Sequence, residues 1–465
     1  MNMNTQEDTR QIIDASALLE HPDPFHIPYK TVQTLQLKLL QHRFAQNRNR
    51  IPVLQRAADR KGIQAIDGLQ DAVALLFSHA TYKSYPESFL DTGQWARMNQ
   101  WVATLSTRGD ELRQIDVSRV SSLDDWLTRL DQHGFALCHS SGTSGKPSFI
   151  PKSAGEQTLM CLACCLAFKF GQGADHQVDK MPVMAVTFRS GWNTIIRLFP
   201  EIARAYTISP TTTEFAFDEA QSPSAMRYEL KMKRLIAEGR VTPGELAAFE
   251  QARKERQAAL AIAFQDFVQR TQAYRGQRVM LLGHTATAFQ LAAKGQAMGE
   301  EGIFAPDSLI LHGGGKKGAT LPENYEELMA HYYGVPRQNV VDLYGMTERN
   351  SIPLVCEYGR KHCSPWEIPL ILDREGQYLL NTEFGNGGVV TGRYAFVDLL
   401  ASTYWGGFTT GDRVKVSFDR CPCGREGPQI LEITRYKDLP DAPDEDKLSC
   451  AAEMASYVFA ELAAS

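Results

Sequence analysis

The sequence has no long hydrophobic run, no excess of positive charge and few cysteines. No stretch approaches the roughly 18 consecutive apolar residues that a membrane-spanning helix needs. The 49 lysine and arginine residues face 54 aspartate and glutamate residues, and no basic cluster is interleaved with aromatic residues; nucleic acid is therefore not an expected partner. Nine cysteines in 465 residues are too few and too irregularly spaced for a disulfide framework. We expect a cytoplasmic protein whose cysteines are core thiols, metal ligands or a nucleophile.

What the sequence does contain is the pattern of an α/β protein that follows a helical segment. Apolar spacing predicts that residues 1–130 are mainly helical, most clearly at 31–44 and 70–77. Farther along, short apolar runs alternate with helical stretches and end in glycine or polar residues; these runs are 135–138, 181–188, 279–282, 309–311 and 340–343. The alternation predicts a layered α/β fold with ligands at the carboxyl ends of the strands. A capping box at Thr242, Pro243 and Glu245 predicts the start of another helix.

The segment that follows the first of these runs is rich in hydroxyl groups and glycine. It consists of Ser140, Ser141, Gly142, Thr143, Ser144, Gly145 and Lys146, and Lys152 comes shortly after. Glycines let backbone N–H groups approach an anion, the hydroxyls add donors, and a lysine adds positive charge. The spacing differs from that of the ordinary P-loop, which argues against a kinase or a motor ATPase. The segment predicts a phosphate-binding loop, with a plain surface turn as the alternative.

Two more motifs lie far downstream. Residues 342–348 read Asp-Leu-Tyr-Gly-Met-Thr-Glu, and residues 409–413 read Thr-Thr-Gly-Asp-Arg. In this order and with the phosphate loop, they resemble the adenylate-forming superfamily of acyl-CoA ligases, peptide-synthetase adenylation domains and luciferases. The resemblance implies an α/β adenylate-forming core over residues 131–435 that uses ATP and Mg²⁺.

The resemblance also implies roles for individual residues. The loop up to Lys146 would hold the pyrophosphate end of ATP, and Glu348 would hold Mg²⁺. The other implied nucleotide contacts are Tyr344 and Gly345 at adenine, Thr347 at the α-phosphate, Asp412 at the ribose hydroxyls, and Arg435 between ribose and phosphate. The implied reaction is attack of a carboxylate on the α-phosphorus of ATP, which gives an acyl-adenylate and pyrophosphate. Because two anions must meet, catalysis would rest chiefly on charge neutralisation and positioning.

Three short segments resemble the acyl-protein synthetase branch, whose best-known member activates fatty acids for bacterial bioluminescence. They are residues 82–86, residues 313–316 and residues 448–450. In the second segment, Gly313, Gly314 and Gly315, which precede Lys316, are implied contacts of the nucleotide. Members of that branch pass the acyl group to a cysteine near their own C-terminus and then to a partner reductase. The implied acceptor here is Cys450. The alternative is that Cys450 is a small buried residue beside a terminal helix over 451–463.

The same region also resembles the phenylacetate-CoA ligase relatives, which carry a Cys–His element and a Cys-x-Cys-Gly-Arg element after the two downstream motifs. The matching residues are Cys356, His362, Cys421 and Cys423, with Cys363 as a spare ligand. Three thiolates and an imidazole can form a tetrahedral zinc site. A structural zinc ion is therefore predicted, and unmetallated loop cysteines are the alternative.

The end of the sequence departs from the superfamily pattern. Thr434 stands where a glycine usually precedes the hinge arginine, and residues 436–465 are predicted to be a hinge remnant and a terminal helix. We therefore expect no complete C-terminal lid domain, which usually brings a catalytic lysine. Lys146, Lys316, Lys317 or a partner subunit would then supply that charge.

Three functions remain open from the sequence. The first is an ATP-dependent enzyme that loads a carboxylic acid onto Cys450 or onto an external thiol, such as that of an acyl-acceptor protein. The second is a stand-alone adenylase for an aryl or other secondary-metabolite acid, or a CoA ligase-like enzyme. The third is an inactive relative that only binds nucleotide or a partner. Candidate substrate residues are Arg189, Trp192 and His284, because they lie at or near predicted strand ends.

Overall fold

The computed structural model describes residues 15–139, 146–315, 320–439 and 457–458. Ser140 to Gly145, Lys316, Lys317 and Cys450 lie outside the described residues, as does most of the predicted terminal helix. No described helix is both long and apolar enough to cross a membrane. The division of the chain into 1–130, 131–435 and 436–465 stays a prediction.

The described residues form two compact units. Unit 1 is built from residues within 1–139, 148–171 and 347–465, and unit 2 from residues within 140–147 and 172–346. Unit 1 is thus discontinuous in sequence. The chain passes from unit 2 back into unit 1 between Met346 and Thr347, inside the motif at 342–348.

Helices fill the first part of unit 1. The α-helices described there are α1 (Ser16–Leu19), α2 (Tyr29–Asn47), α3 (Pro52–Lys61), α4 (Leu69–Val73), α5 (His79–Tyr82), α6 (Glu87–Asp91), α7 (Trp95–Ala103), α8 (Gly109–Gln114) and α9 (Leu123–Asp131). The helix α9 shows why they form: Ser122 Oγ accepts the Asp125 N–H at 3.1 Å, and every apolar residue of the helix is buried. A capped start and one apolar face are what an amphipathic helix needs.

Aromatic side chains join these helices to the first hairpin of the chain. Trp126 stands edge-on to Phe149 at 5.6 Å between ring centres, and Tyr85 contacts both Trp101 and Phe149. Tyr82 is also fully buried and its hydroxyl donates to Trp405 O at 3.2 Å. The tyrosines of the 82–86 segment therefore contribute to the core of unit 1.

Two antiparallel sheets complete unit 1. The hairpin pairs β1 (Phe135–His139) with β2 (Phe149–Ser153), and α10 (Ala154–Gln172) follows it. The larger sheet has the order β10-β11-β12-β13-β9-β8. Its strands are β8 (Leu354–Val355), β9 (Lys361–His362), β10 (Glu367–Leu372), β11 (Asn386–Asp398), β12 (Gly407–Asp419) and β13 (Gln429–Arg435).

Unit 2 is a parallel sheet with helices between its strands. The strand order is β4-β3-β5-β6-β7. The strands are β3 (Val183–Gly191), β4 (Thr213–Gln221), β5 (Met280–His284), β6 (Leu309–Gly313) and β7 (Val340–Leu343), and the α-helices are α11 (Thr194–Tyr206), α12 (Pro223–Ala237), α13 (Pro243–Thr271), α14 (Thr285–Ala297) and α15 (Tyr325–Tyr333). Strands β5 and β6 are buried along almost their whole length. Continuous apolar runs of this kind are typical of parallel strands covered on both faces.

The structure confirms the five predicted strands and the capping box at Thr242, where Glu245 N donates to Thr242 Oγ1 at 3.3 Å. The prediction of a helix over 70–77 was wrong at its end, because α4 stops at Val73. Phe77 instead pairs with β12: its N–H donates to Gly407 O at 3.0 Å, and its carbonyl accepts the Thr409 N–H at 2.8 Å. A strand-like backbone pairing overrides the helical spacing of the side chains.

Candidate functional site

The carboxyl ends of parallel strands share one edge of the sheet in unit 2. Strands β3, β5, β6 and β7 are parallel neighbours, so residues that end or follow them lie along the same edge. His284 ends β5, Gly313 ends β6, and Tyr344 follows β7 directly. The structure thus places His284, a predicted substrate residue, and the predicted nucleotide residues Gly313 and Tyr344 at this edge. Trp192 follows β3 at the same edge.

The turn after β6 depends on glycine. A Cβ atom on Gly313 would lie 2.6 Å from the Leu343 carbonyl oxygen of β7. Gly314 and Gly315 adopt φ angles of +80° and +65°, which side chains disfavour. Glycine therefore allows the two strands to approach and leaves the backbone N–H groups uncovered by side chains. Such a backbone suits an anion.

His312 is a buried polar residue at this edge that sequence reasoning missed. Its Nδ1 atom lies 3.1 Å from Thr285 Oγ1 and 3.9 Å from Asp342 Oδ1, and its Nε2 atom lies 3.4 Å from Glu326 Oε1. The imidazole thereby connects Thr285 directly after β5, Asp342 within β7 and Glu326 in α15. A single histidine at the end of an apolar run gives no sequence signal for partners so far away along the chain.

Arg189 and Trp192 have partners within unit 2. The Nε and Nη2 atoms of Arg189 lie 2.9 and 2.5 Å from Asp218 Oδ1, and its guanidinium lies 4.7 Å from the ring centre of Phe215. The guanidinium of Arg197 lies 4.9 Å from the Trp192 ring centre. These contacts account for both side chains within the protein, and their substrate roles stay predictions.

Asp412 and Arg435 are cross-strand partners in unit 1. The antiparallel register of β12 and β13 places them opposite each other, and Arg435 Nε lies 2.9 Å from Asp412 Oδ1. The Asp412 side chain is 2% exposed, whereas that of Arg435 is 56% exposed. The backbone N–H of Asp412 also donates to Thr410 Oγ1 at 3.0 Å. Two residues that the sequence assigned to one ribose therefore lie side by side.

Arg393 fixes the chain immediately after Arg435. It is fully buried, its Nη1 donates to Thr410 O at 3.0 Å, and its guanidinium lies 4.3 Å from the ring centre of Tyr436. Cation–π contacts strengthen when the cation is desolvated. This contact anchors the end of β13 and so restrains Arg435 beside Asp412.

Thr347 and Glu348 begin a buried segment of irregular backbone in unit 1. Residues 347–353 belong to no helix or strand, yet all are buried. Buried backbone groups outside regular structure must find side-chain or water partners. Three buried side chains meet this requirement: Tyr404 OH donates to Glu348 O at 3.2 Å, Lys152 Nζ donates to Arg349 O at 2.7 Å, and Asp398 Oδ2 accepts the Asn350 N–H at 2.6 Å.

Lys152 is a support for this segment rather than part of an exposed loop. It is 1% exposed, and its ammonium reaches the Arg349 carbonyl from β2. The nearby Glu156 carboxylate accepts the Ser402 and Thr403 N–H groups at 2.5 and 3.0 Å.

Burial raises the pKa of Asp398 to about 6, although its backbone hydrogen bonds and the charge of Lys152 act in the opposite direction.

The side chain of Arg349 forms a fully buried ion pair. Its Nη1 lies 3.2 Å from each oxygen of Glu367, and the two side chains are 0% and 1% exposed. Glu367 also accepts the hydroxyl of Tyr394 at 2.7 Å and that of Ser351 at 3.2 Å. The carboxylate therefore holds both Arg349 and Ser351, which flank Asn350.

Glu348 itself is buried next to a histidine from α5. Its side chain is 3% exposed, and His79 Nδ1 lies 3.3 Å from its Oε1 atom. Burial acts to raise the pKa of Glu348, but the hydrogen bond and charge of His79, together with the charge of Lys152, bring that pKa below its ordinary value. An ionised, buried carboxylate suits a hard cation such as Mg²⁺. His79 was not among the residues that the sequence indicated.

The four predicted zinc ligands come together in unit 1. The ligand atoms of Cys356, His362, Cys421 and Cys423 all lie within 4.8 Å of one another. The sulfurs of Cys356 and Cys421 are 4.0 Å apart, and Cys423 Sγ lies 3.3 Å from His362 Nε2. Zn–S bonds of about 2.3 Å in a tetrahedron put thiolate sulfurs about 3.8 Å apart. The residues therefore fit a tetrahedral zinc ion, and the spare candidate Cys363 is not in this cluster.

No protein-family model and no curated protein matches the chain. The fold is similar to that of 2-hydroxyisobutyryl-CoA ligase. One solved structure of that enzyme, with 2-HIB-AMP and CoA in the thioesterification state, has a TM-score of 0.53 at 15% identity and covers 90% of this chain and 72% of that one. An open conformation with the same ligands has a TM-score of 0.50 at 14% identity and covers 90% and 78%. This likeness is one of fold, and it confirms the predicted layered α/β class.

The predicted residues thus fall into three groups. Asp412, Arg435, Thr347 and Glu348 belong to unit 1, as do the four metal ligands. Lys146, Gly313, Gly314, Gly315, Tyr344, Gly345, Arg189, Trp192 and His284 belong to unit 2. The remaining residues of the phosphate loop and Cys450 lie outside the described residues.

Proposed function

We propose that the protein activates a carboxylic acid with ATP as an acyl-adenylate and then transfers the acyl group to a thiol. The pairing of Asp412 with Arg435 is the observation that carries this proposal. A buried carboxylate that faces an exposed guanidinium offers acceptors to ribose hydroxyls and a positive charge to a phosphate. The similarity of the fold to that of 2-hydroxyisobutyryl-CoA ligase and the glycine turn after β6 support the same assignment.

In the first half-reaction, a carboxylate oxygen attacks the α-phosphorus of ATP and the bond to the β-phosphate bridging oxygen breaks. Pyrophosphate leaves with that electron pair. Within unit 1, Asp412 and Arg435 hold the nucleoside end of ATP. Glu348 would hold Mg²⁺, which neutralises charge on the phosphates.

In the second half-reaction, a thiolate attacks the acyl carbonyl carbon and AMP leaves, so that a thioester forms. Two acceptors have support. The acyl-protein synthetase resemblance favours Cys450, whereas the 2-hydroxyisobutyryl-CoA ligase structures contain CoA and so favour an external thiol.

We propose a structural role for zinc at Cys356, His362, Cys421 and Cys423. When bound, the ion would crosslink the β8–β9 region to the loop before β13 and would supply no chemistry to the reaction. His362 pairs with Gln429 on β13, the strand that ends at Arg435. The metal cluster thus lies next to the strand that ends at the proposed nucleotide arginine.

The experiment is a pyrophosphate-exchange screen across fatty, aryl and amino acids. We expect acid-dependent exchange that falls strongly in Asp412→Ala and in Lys146→Ala. Glu432→Ala is the matched control because Glu432 lies on β13 and pairs with Lys415 at the surface. Absence of exchange and of ATP binding would refute the proposed activity.

A second assay identifies the acceptor. The protein is incubated with ATP and the active radiolabelled acid, and covalent label is measured on the denatured chain. Loss of label in Cys450→Ala supports transfer to that thiol. Retained exchange, no label on the intact protein and thioester formation on added CoA support the external acceptor instead.

A further inference from the structure

A short segment of the N-terminal helical region reaches the proposed cation-binding glutamate within unit 1. Phe77 pairs through its backbone with Gly407 and Thr409, at the start of β12. The pairing of β12 with β13 begins only at Asp412. The segment therefore extends the sheet beside the proposed ribose-binding residue and fixes the chain two residues before His79.

His79 is held so that its ring faces Glu348. It is the first residue of α5, and Ser78 before it has extended backbone with φ of −138° and ψ of 177°. The imidazole stands edge-on to Phe408 at 5.0 Å between ring centres, with an interplanar angle of 82°. Its Nδ1 atom lies 3.3 Å from Glu348 Oε1, within the distance of an ion pair.

We propose that His79 is a positioning residue for Glu348. Its Nδ1–H would donate to Oε1 and restrain the carboxylate, which would then be held ready for the Mg²⁺ ion that accompanies ATP. This inference rests on the proposed function, and it adds a residue from outside the recognised motifs to the site. Carboxylate ligands of metals are usually oriented by such outer hydrogen bonds, and loss of one typically costs about 10–100-fold in metal affinity or activity.

Packing alone gives a weaker account of this histidine. Phe77 and Tyr82, which flank it, are fully buried; their rings contact each other, and the ring of Tyr82 contacts Phe408. The His79 side chain is 35% exposed, whereas Glu348 is 3% exposed. A partly exposed imidazole contributes little apolar burial, but it gives the buried carboxylate a hydrogen-bond donor. Burying a charge without a partner is costly.

The test compares three substitutions of His79. In His79→Asn the amide nitrogen occupies the branch position of Nδ1 and keeps the donor. His79→Leu fills the space beside Phe408 without a donor, and His79→Ala removes both. The matched control is His331→Ala, which breaks another histidine–carboxylate contact, His331 Nε2 to Glu301 Oε2 at 2.9 Å, on the surface of unit 2.

ATP binding is measured by calorimetry in saturating Mg²⁺ and in EDTA, and melting temperatures are recorded for each variant. We expect Mg²⁺ to strengthen ATP binding to the unmodified protein. This strengthening should fall about 10-fold or more in His79→Ala and His79→Leu, and His79→Asn should recover most of it. ATP affinity in EDTA should be the same for all variants, as should every value for His331→Ala.

Each other outcome overturns a specific statement. Unchanged Mg²⁺ dependence in His79→Ala and His79→Leu would refute the positioning role while leaving the proposed function intact. Equal losses in EDTA and in Mg²⁺, without recovery in His79→Asn, would show that the histidine only maintains local structure. Failure of the unmodified protein to bind ATP under either condition would refute the proposed function and this inference with it.

Discussion

Removal of Glu367 should destabilise unit 1 strongly because it would leave Arg349 charged and buried. Both side chains are at most 1% exposed, and the carboxylate accepts donors from three residues. Breaking one partner out of a buried ion pair costs about 3–5 kcal/mol. At about 2 °C per kcal/mol, the lower end of the usual scale, Glu367→Ala should lower the melting temperature by roughly 6–10 °C.

The assay is a double-mutant cycle followed by thermal and chemical denaturation. Arg349→Met alone should cost a similar amount, because it leaves Glu367 without its counter-ion. The combination of Arg349→Met with Glu367→Ala removes both charges, and its loss should be well below the sum of the single losses. The exposed pair Lys415–Glu432 is the control, and Glu432→Ala should cost less than about 1 kcal/mol. Additive losses in the cycle, or a Glu367→Ala effect as small as that of Glu432→Ala, would refute the reasoning.

Three more predictions concern the same unit. The pKa of Asp398 rises from 3.8 to about 6 on folding, so the contribution of this residue to stability is complete below pH 3.8 and is lost as the pH rises through about 6. In urea titrations, the unfolding free energy of the unmodified protein minus that of Asp398→Asn should therefore decrease over that pH range. A constant difference would contradict this prediction. Lys152→Met removes a buried charged donor to Arg349 O. The substitution should lower stability by about 1.5–3 kcal/mol and should also reduce pyrophosphate exchange. Unchanged stability and exchange would show that the contact is dispensable. Elemental analysis of the purified protein should find stoichiometric zinc. Cys423→Ser should lower the zinc content, whereas the control Cys165→Ser should not, because Cys165 is a buried cysteine outside the cluster. Equal zinc content in both variants would exclude the site.

Local sequence features correctly predicted the cap of α13 and four of the five strands of unit 2, but they did not predict β4. Apolar runs bounded by glycine, such as 309–311, have a local cause, because buried parallel strands require them. The capping box at Thr242 is local too. The end of helix α4 at Val73 could not be predicted from the local sequence, since the backbone partner of Phe77 lies on β12, far along the chain.

The site was predictable only where motifs mark it. The opposite placement of Asp412 and Arg435 agrees with the roles that the resemblance gave them, although their binding of nucleotide stays a prediction. His79, His312 and Asp398 carry no local signature, because each contacts a partner distant in sequence. Lys152 shows the opposite error: its proximity to the phosphate loop suggested anion binding, and the fold directs it to a backbone carbonyl.

The discontinuity of unit 1 has a consequence during synthesis on the ribosome. Phe77 and His79 leave the ribosome long before β12 and Glu348, their partners, have been translated. Most of unit 2 is continuous in the chain and can form its parallel sheet in the meantime. Long-range pairing of this kind is slow and leaves apolar segments open to aggregation. Nascent chains stalled before β12 should therefore recruit chaperones at the N-terminal helices, and they should release them once that strand emerges.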